Sequence, residues 1–342
     1  MRYKVSVIIP VYNAEKTLEN AIDSVINQTI GFENIELILV DDNSTDNSKE
    51  LIKKFQHKYQ NITSYFSNKN HGFPGFGRNK GIELSSAEYV MFLDNDDEYD
   101  KNMCKKLYET IINYDVDLVS CGRILVDNIG EIEDNYIYSS DNYQKDYLIY
   151  ENENISSYDS VSVWNKIFLK KNIIKFNLKF LEDTSADDFV FSIEYNINSQ
   201  RILHLTDYYG YRWNIHDKSL SHSIKIEHIE EVLKAFNYLI NKLKLENKLN
   251  NSDILLNHMV SLLIEKCINL KTNFDSFKKI LNEIYKFEIE CDYNSELPNK
   301  FFNIPNKFIL QKHFNVAIIY LKTFQKLRKS TFLRKIIREI GL

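Results

Sequence analysis

Val5-Ser6-Val7-Ile8-Ile9-Pro10 is the segment that sets the fold of this chain: an apolar, β-rich run that a proline stops. Residues 14–28 follow it with apolar positions at helical spacing. The alternation continues to residue 125, with apolar runs at 35–40, 62–66, 89–93 and 116–121 and helical segments near 77–85 and 101–113. Continuous apolar strands separated by helices predict an α/β domain with a mostly parallel sheet flanked by helices.

The pattern changes twice beyond residue 125. Residues 126–224 are irregular, acidic and Tyr-rich at first, and they are interpreted as a second half of the same domain. From 225 onward apolar residues recur at helical spacing, as in the stripe Ile226, Ile229, Leu233, Phe236 and Ile240. We therefore expect one α/β domain over 1–224 and a helical C-terminal region over 225–342.

Composition and charge exclude several classes of protein. The chain has 342 residues, of which 44% are hydrophobic and 27% charged, as in soluble globular proteins. Its four cysteines lie far apart, which argues against a disulfide framework. Neither a signal peptide nor a membrane span is evident, so a cytoplasmic location is expected. Residues 312–342 carry a local charge of +7 against −5 for the whole chain, so the remainder is acidic. An acidic body without a basic stripe argues against nucleic-acid binding.

The strongest chemical signal is Val90-Met91-Phe92-Leu93-Asp94-Asn95-Asp96-Asp97, in which a strand delivers three carboxylates to its carboxyl end. Hard oxygen ligands suit Mg²⁺ or Mn²⁺, and crowded carboxylates favour a cation. The alternative is an acidic turn that caps the following helix.

Three weaker signals accompany it, each with a simpler alternative. Residues 40–46 place carboxylates at another strand end, where they suit a nucleoside or form a solvated turn. Residues 71–81 concentrate four glycines and two cations ahead of a helix, which suits a diphosphate or an ordinary surface loop. Asp187-Asp188 precedes an aromatic run, where a partly buried carboxylate suits a general base or is a plain surface acid.

Taken in their order, these motifs resemble those of glycosyltransferase family 2 enzymes, over about residues 4–220. The resemblance implies the Rossmann-like GT-A fold, with a nucleotide-sugar half at 1–125 and an acceptor half at 126–224. The matching segments are Ser6 to Glu15, Val40 to Asp46, Gly77 to Gly81 and Phe92 to Asp97.

The resemblance also implies donor contacts. A uridine-type nucleotide pocket would be lined by Pro10, Val11, Tyr12, Glu15 and Asp42. Either Asn70 or Gly72 would contact the base, because the glycine segment is one residue longer than the family pattern. Arg78 would approach the nucleotide or its phosphates, and Asp94 and Asn95 would contact the ribose and donor sugar.

Metal, catalytic and acceptor roles follow from the same resemblance. Asp96 would ligate Mn²⁺ or Mg²⁺ directly beside Asp94, and His216 would add a ligand or be an ordinary loop histidine. Asp188 would deprotonate the acceptor hydroxyl with support from Asp187. The acceptor-side motif comprises Trp164, Asn165 and Lys166.

The implied activity is inverting transfer of a hexosyl or N-acetylhexosaminyl group from a nucleotide-sugar donor. The acceptor would be a cell-surface glycan, a polymer or a lipid-linked molecule. Asp183 is the alternative base, because Glu182-Asp183 is a second acidic pair just upstream. A non-catalytic sugar-nucleotide-binding or scaffold subunit of a polymer-assembly complex is the alternative function.

The basic C-terminal tail allows two interpretations. Cations alternate there with apolar residues such as Phe314, Ile318 and Phe324, as in a helix lying on an anionic membrane at the inner face of the cell. The other interpretation is an amphipathic helix that packs on its own domain or on another subunit, and it is slightly favoured because such stripes are usually core.

Overall fold

The computed structural model describes residues 3–127, 130–134, 146–151, 161–215, 224–249, 252–293, 296–297 and 299–328. Residue contacts divide the chain into two compact units, Met1–His216 and Asp217–Leu342. The division of the first unit at residue 125 stays a prediction.

The first unit alternates strands and helices. Its strands are β1 (Val5–Val11), β2 (Ile35–Asp41), β3 (Ile62–Phe66), β4 (Tyr89–Phe92), β5 (Glu98–Tyr99), β6 (Leu118–Asp127), β7 (Gly130–Asp134), β8 (Tyr147–Glu151), β9 (Lys166–Leu169) and β10 (Arg201–Asn214). Its helices are α1 (Leu18–Ile26), α2 (Ser48–Lys58), α3 (Gly75–Leu84), α4 (Met103–Tyr114), α5 (Lys170–Lys175) and α6 (Asp187–Asn198), with a 3₁₀ turn at Phe32–Asn34.

The ten strands of the described residues form one sheet, and the predicted α/β fold is confirmed. The order is β3-β2-β1-β4-β9-β6-β10-β5, with β7 beside β6 and β8 beside β10. Strands β3, β2, β1 and β4 are mutually parallel, whereas β9 inserts antiparallel between β4 and β6. Apolar side chains pack on both faces: Val7 and Ile9 of β1 belong to one core cluster and Ile8 to the other.

The structure differs from the sequence interpretation beyond residue 125. The stretch taken as irregular contains strands β7 to β10 and helices α5 and α6. Short strands without simple alternation, such as Lys166–Leu169, gave no periodic signal because both of their faces are covered.

The helix predicted near 77–85 is present as α3, which begins two residues earlier, at Gly75. A Cβ on Gly77 would lie 2.8 Å from the Cβ of Pro10, and one on Gly81 would lie 2.2 Å from Cγ2 of Ile8. These glycines therefore let α3 pack closely on β1, and the backbone approach is between two protein elements.

The second unit is helical in its described part. It consists of α7 (Ile226–Leu245), α8 (Ser252–Asn269), α9 (Phe274–Glu290), α10 (Lys300–Leu310) and α11 (Phe314–Arg328). The predicted stripe of α7 is buried at Ile229, Leu233, Phe236 and Ile240. Among the described helices of either unit, none has the length and apolar character that crossing a bilayer requires.

Candidate active site

Three loops that carry the predicted donor residues meet at one edge of the sheet. Strand β1 lies between β2 and β4, and the three are parallel, so their carboxyl ends share that edge. Val11 pairs with Asp41, and the side-chain amide of Asn95 donates to the Pro10 carbonyl at 3.0 Å. Pro10 and Val11 are themselves buried, so they shape the floor of this edge.

The loops after β1 and β2 are bonded to each other. The Asn13 amide donates to Ser44 Oγ at 3.0 Å, and the Asn47 side chain donates to the Glu15 carboxylate at 2.8 Å. Glu15 thus joins two loops, whereas the Tyr12 side chain is 47% exposed at the rim. An exposed ring beside a fixed loop suits stacking on a planar base.

Asp42 has a partner that sequence reasoning missed. Its carboxylate accepts from the backbone amide of His71 at 2.8 Å and lies 2.5 Å from His71 Nδ1. The His71 ring in turn stacks on Phe76 with centroids 3.6 Å apart. The sequence proposed Asn70 or Gly72 for the base contact, yet the residue between them is the one at Asp42. In the sequence, only the residue type of His71 indicated this contact, because a ring with two nitrogens can pair with a carboxylate.

Arg78 joins two predicted motifs. From the first turn of α3, its Nη1 donates to Asp187 at 2.6 Å and its Nη2 donates to Asp94 at 2.8 Å. The side chain is only 4% exposed, and the two carboxylates hold the arginine charged by raising its pKa against the effect of burial. A planar guanidinium offers a separate nitrogen to each of the two carboxylates, in a fixed geometry. Arg78 therefore places the 94–97 turn and the 187–188 pair around one point.

The predicted base pair opens helix α6, and its two members have different surroundings. Asp187 is buried, and that burial raises the pKa of its carboxyl group, while Arg78 opposes the rise. Asp188 is half-buried on the first turn of α6. The alternative base, Asp183, is exposed and outside any helix.

The 94–97 turn is fastened to β10 by groups that the sequence did not indicate. Asp97 is buried and accepts from Tyr211 Oη at 2.6 Å and from the Asn214 amide at 2.8 Å. The Asn214 side chain also donates to the Asp96 carbonyl at 3.0 Å. Burial, together with the charges of Asp96 and Asp94, raises the pKa of Asp97 well above its usual range. Asp97 is thus an internal anchor, although it stands in the same acidic motif.

The carboxylates of the turn fit a divalent cation in part. Asp94 and Asp96 come from one turn and both are partly exposed. Among the described residues, no three His, Cys, Asp or Glu side chains gather closely enough to hold an ion alone. Mg²⁺ characteristically uses one or two carboxylates plus substrate phosphates, so this pair suits an ion that a diphosphate completes. The predicted third ligand, His216, lies outside the described residues.

The predicted acceptor residues are largely internal. Asn165 and Lys166 are fully buried, and Lys166 Nζ donates to Asn165 Oδ1 at 3.1 Å. The Asn165 side chain donates to the Cys121 carbonyl, so both residues hold β9 against β6 and neither offers a polar atom at the surface. Trp164 is 9% exposed and stacks on Tyr211 at 4.2 Å, beside the anchor of the 94–97 turn.

This edge of the sheet lies within a region that matches a known protein family. The family described as Glycosyl transferase family 2 matches residues 6–165, a range that includes β1, β2, β4 and their acidic loops. The chain carries a family 2 glycosyltransferase domain. The recognition made from the sequence motifs is therefore confirmed.

Relatives of this family 2 domain act on varied acceptors. The chain is 34% identical over 209 residues to the poly(ribitol-phosphate) beta-N-acetylglucosaminyltransferase TarP of Staphylococcus aureus, covering 61% of this chain and 62% of TarP. It is 29% identical over 237 residues to the cholesterol galactosyltransferase of Borreliella burgdorferi, covering 66% and 64%. A 94-residue match to the poly(ribitol-phosphate) beta-glucosyltransferase of Bacillus spizizenii reaches 42% identity but covers only 15% of that protein. The chain thus spans less than two thirds of each of these relatives.

Solved structures confirm the GT-A fold. Residues 1–349 of S. aureus TarS in complex with UDP-GlcNAc align with a TM-score of 0.65 at 19% identity, covering 94% of this chain and 92% of that one. The mannosyltransferase PcManGT of Pyrobaculum calidifontis, solved with GDP-Man and Mn²⁺, aligns with a TM-score of 0.56 at 14% identity, covering 96% and 89%. At these identities the likeness concerns the fold alone.

Proposed function

We propose that this protein is an inverting glycosyltransferase that moves a sugar from a nucleotide-sugar donor to a hydroxyl group of a cell-surface polymer, glycan or lipid-linked acceptor. The observation that carries the proposal is the Arg78 fork. It joins Asp94, from the predicted donor turn, to Asp187, from the predicted base pair, at 2.8 and 2.6 Å. A donor and an acceptor would therefore meet at one place.

The donor's nucleoside would lie on the edge formed by the β1 and β2 loops. Tyr12 offers an exposed ring there, and Asp42 offers a carboxylate fixed by His71. A uridine diphosphate sugar is the proposed donor class, since TarS has been solved with UDP-GlcNAc. A hexosyl or N-acetylhexosaminyl group suits the relatives, which are named as glucosyl-, galactosyl- and N-acetylglucosaminyltransferases.

Asp188 is the proposed general base, because it is the partly exposed member of the pair that Arg78 positions. The acceptor hydroxyl transfers its proton to Asp188 while its oxygen bonds to the anomeric carbon. The bond from that carbon to the diphosphate oxygen breaks, and its electron pair leaves with the diphosphate. One displacement inverts the anomeric centre, so an α-linked donor gives a β-linked product.

Asp94 and Asp96 would hold the divalent ion, Mn²⁺ or Mg²⁺. Such an ion, when bound, supplies charge stabilisation to a leaving diphosphate. The protein's own contribution is positional: Asp97, bonded to Tyr211 and Asn214, keeps the turn fixed, so the site needs little rearrangement.

Donor binding tests the first half of the proposal. The full chain is titrated calorimetrically with UDP, GDP, UDP-GlcNAc, UDP-glucose and GDP-mannose, in MnCl₂ and again in EDTA. We expect uridine nucleotides to bind in preference to guanosine nucleotides, and more weakly in EDTA. If no nucleotide sugar bound in MnCl₂, the proposed donor site would be excluded.

Two matched variants test the base. Asp188→Asn is expected to lower UDP release from the preferred donor by about 10²–10⁴-fold while donor affinity stays unchanged. Asp183→Asn removes an exposed carboxylate only a few residues away and is expected to keep nearly full activity. The reverse result would reassign the base to Asp183. If the wild-type chain bound donor but neither transferred nor hydrolysed it, a non-catalytic subunit would replace the enzymatic proposal.

A further inference from the structure

The two last described helices form a stretch without a single carboxylate side chain. Of the 48 Asp and Glu residues, 47 lie in residues 1–296 and the remaining one is Glu339. Residues 297–328 therefore contain none. The same stretch contains six cations, namely Lys300, Lys307, Lys312, Lys322, Lys326 and Arg328. A segment of one sign next to an otherwise acidic chain indicates a partner of the opposite sign.

Helix α11 uses one of its faces for packing within its own unit. Phe314, Ala317, Ile318 and Leu321 are buried there, and the helix contacts α8, α9 and α10. The packing interpretation of the tail therefore holds for this face. This packing does not involve the opposite face of α11.

The opposite face of α11 combines exposed aliphatic residues with lysines. Val316 is 45% and Ile319 is 64% exposed, exposed Lys326 lies about two turns beyond Ile319, and exposed Lys312 lies in the turn that precedes the helix. Val316, Ile319 and Lys326 fall within one narrow arc of the helix, because their spacings are three and seven residues. Lys312 precedes the helix and has a left-handed backbone with φ of 59°. Single exposed aliphatic residues are common, but here they sit between cations.

Helix α10 repeats the arrangement. Lys300, Ile304 and Lys307 are exposed at spacings of four and three residues, with Ile304 43% exposed. Lys307 also contacts Glu296 at 2.6 Å, just before the helix. In α10 the exposed isoleucine thus lies between two lysines of the helix, and in α11 the exposed aliphatic residues lie between Lys326 of the helix and Lys312 of the preceding turn. Lysines can extend their charge to a headgroup while an aliphatic side chain enters the acyl boundary.

We propose that the exposed faces of α10 and α11 dock on an anionic phospholipid bilayer. Charge complementarity favours lipid over a second copy of the same face, since two such faces would bring lysines together, and the neighbouring carboxylate of Glu296 is already paired with Lys307. The aliphatic residues favour a bilayer over a purely polar anionic partner, because such a partner would leave Ile319 and Val316 in water. This inference concerns the second unit and is independent of the proposed transfer reaction.

Vesicle co-sedimentation of the full chain tests the proposal. Phosphatidylcholine vesicles are compared with vesicles that also contain phosphatidylglycerol, at low and at raised NaCl. We expect binding to the anionic vesicles only, weakened by salt. Equal binding to both vesicle types, or no binding to either, would overturn the proposal.

Matched variants distinguish binding through this face from nonspecific vesicle binding. Lys312→Glu with Lys326→Glu is expected to weaken vesicle binding at least about tenfold. The control, Lys101→Glu with Lys106→Glu, reverses two exposed lysines of the first unit and gives the same net charge as the test variant. Its vesicle binding is expected to stay near that of wild type. Ile319→Asn is expected to weaken binding, whereas Ile174→Asn, at 65% exposure in α5, is expected not to. Thermal unfolding confirms that each variant is folded.

Two outcomes would contradict the assignment of this face. One is vesicle binding by the Lys312→Glu, Lys326→Glu variant that equals wild type. The other is a lipid-free dimer, seen by sedimentation velocity, that the same two substitutions dissociate; this would assign the face to a second copy.

Discussion

Arg78 Nη1 and Asp187 Oδ2 lie 2.6 Å apart across 109 residues of sequence, and both side chains are buried. The same guanidinium bonds Asp94. Removing one member of a buried ion pair leaves the other charge buried without compensation. The stability that is lost therefore exceeds the net contribution of the intact pair.

Arg78→Gln is expected to lower the free energy of unfolding by about 3–5 kcal/mol, because Asp187 then remains buried without its cation. Adding Asp187→Asn to that variant is expected to restore a large part of the loss. Urea unfolding of the two single variants and the double variant measures the coupling. Strictly additive effects would contradict an Arg78–Asp187 pair.

Tyr211→Phe removes the hydroxyl that donates to buried Asp97, and it is expected to cost about 1–3 kcal/mol of stability. Because Asp97 anchors the 94–97 turn, Mn²⁺-dependent donor binding should weaken as well. Tyr195→Phe is the control, since it removes an equally buried hydroxyl that bonds the Asp117 carbonyl at 2.7 Å. Calorimetric donor titration should change only for Tyr211→Phe; equal donor affinity in both variants would show that the anchor does not position the turn.

Gly81→Ala places a Cβ 2.2 Å from Cγ2 of Ile8, at the contact of α3 with β1. The expected cost is about 1–3 kcal/mol from overpacking, even though alanine favours a helix more than glycine does. Glu83→Ala, on an exposed side chain of the same helix, should stay within about 0.5 kcal/mol of wild type. Thermal unfolding distinguishes the two, and a stabilised Gly81→Ala variant would disprove the close packing.

Glu288 of α9 is fully buried in the second unit, and burial raises its pKa to about 8. Since the unfolded chain releases this proton near pH 4.5, the unfolded state binds fewer protons between those two values. Stability should therefore fall as the pH rises through this window, by up to about 1.4 kcal/mol per pH unit, and level off above about pH 8.

Glu288→Gln should lack that slope, whereas Glu290→Gln, at an exposed position of the same helix, should keep it. Urea unfolding at several pH values between about 5 and 9 compares the three proteins. Parallel curves for wild type and Glu288→Gln would show that Glu288 does not titrate in the folded interior.

Local pattern carried much of the fold. The apolar runs of β1, β2, β3 and β4 were long enough to mark strands, and each ended where a polar loop began. The region beyond residue 125 was not predicted in this way. Its strands are short or covered on both faces, so their sequences lack the period of two that marks a half-exposed strand.

Sequence alone determined the α/β class, the position of carboxylates at the ends of β2 and β4, and the family, because these properties depend on neighbouring residues and on motif order. Tertiary structure decided which carboxylate is an anchor and which is accessible, since Asp96 and Asp97 are adjacent in the chain but differ in burial. It also decided that His71 meets Asp42, that Lys166 is internal, and that Arg78 reaches Asp187. Each of these contacts joins distant segments, and no local preference encodes a distance across the sheet.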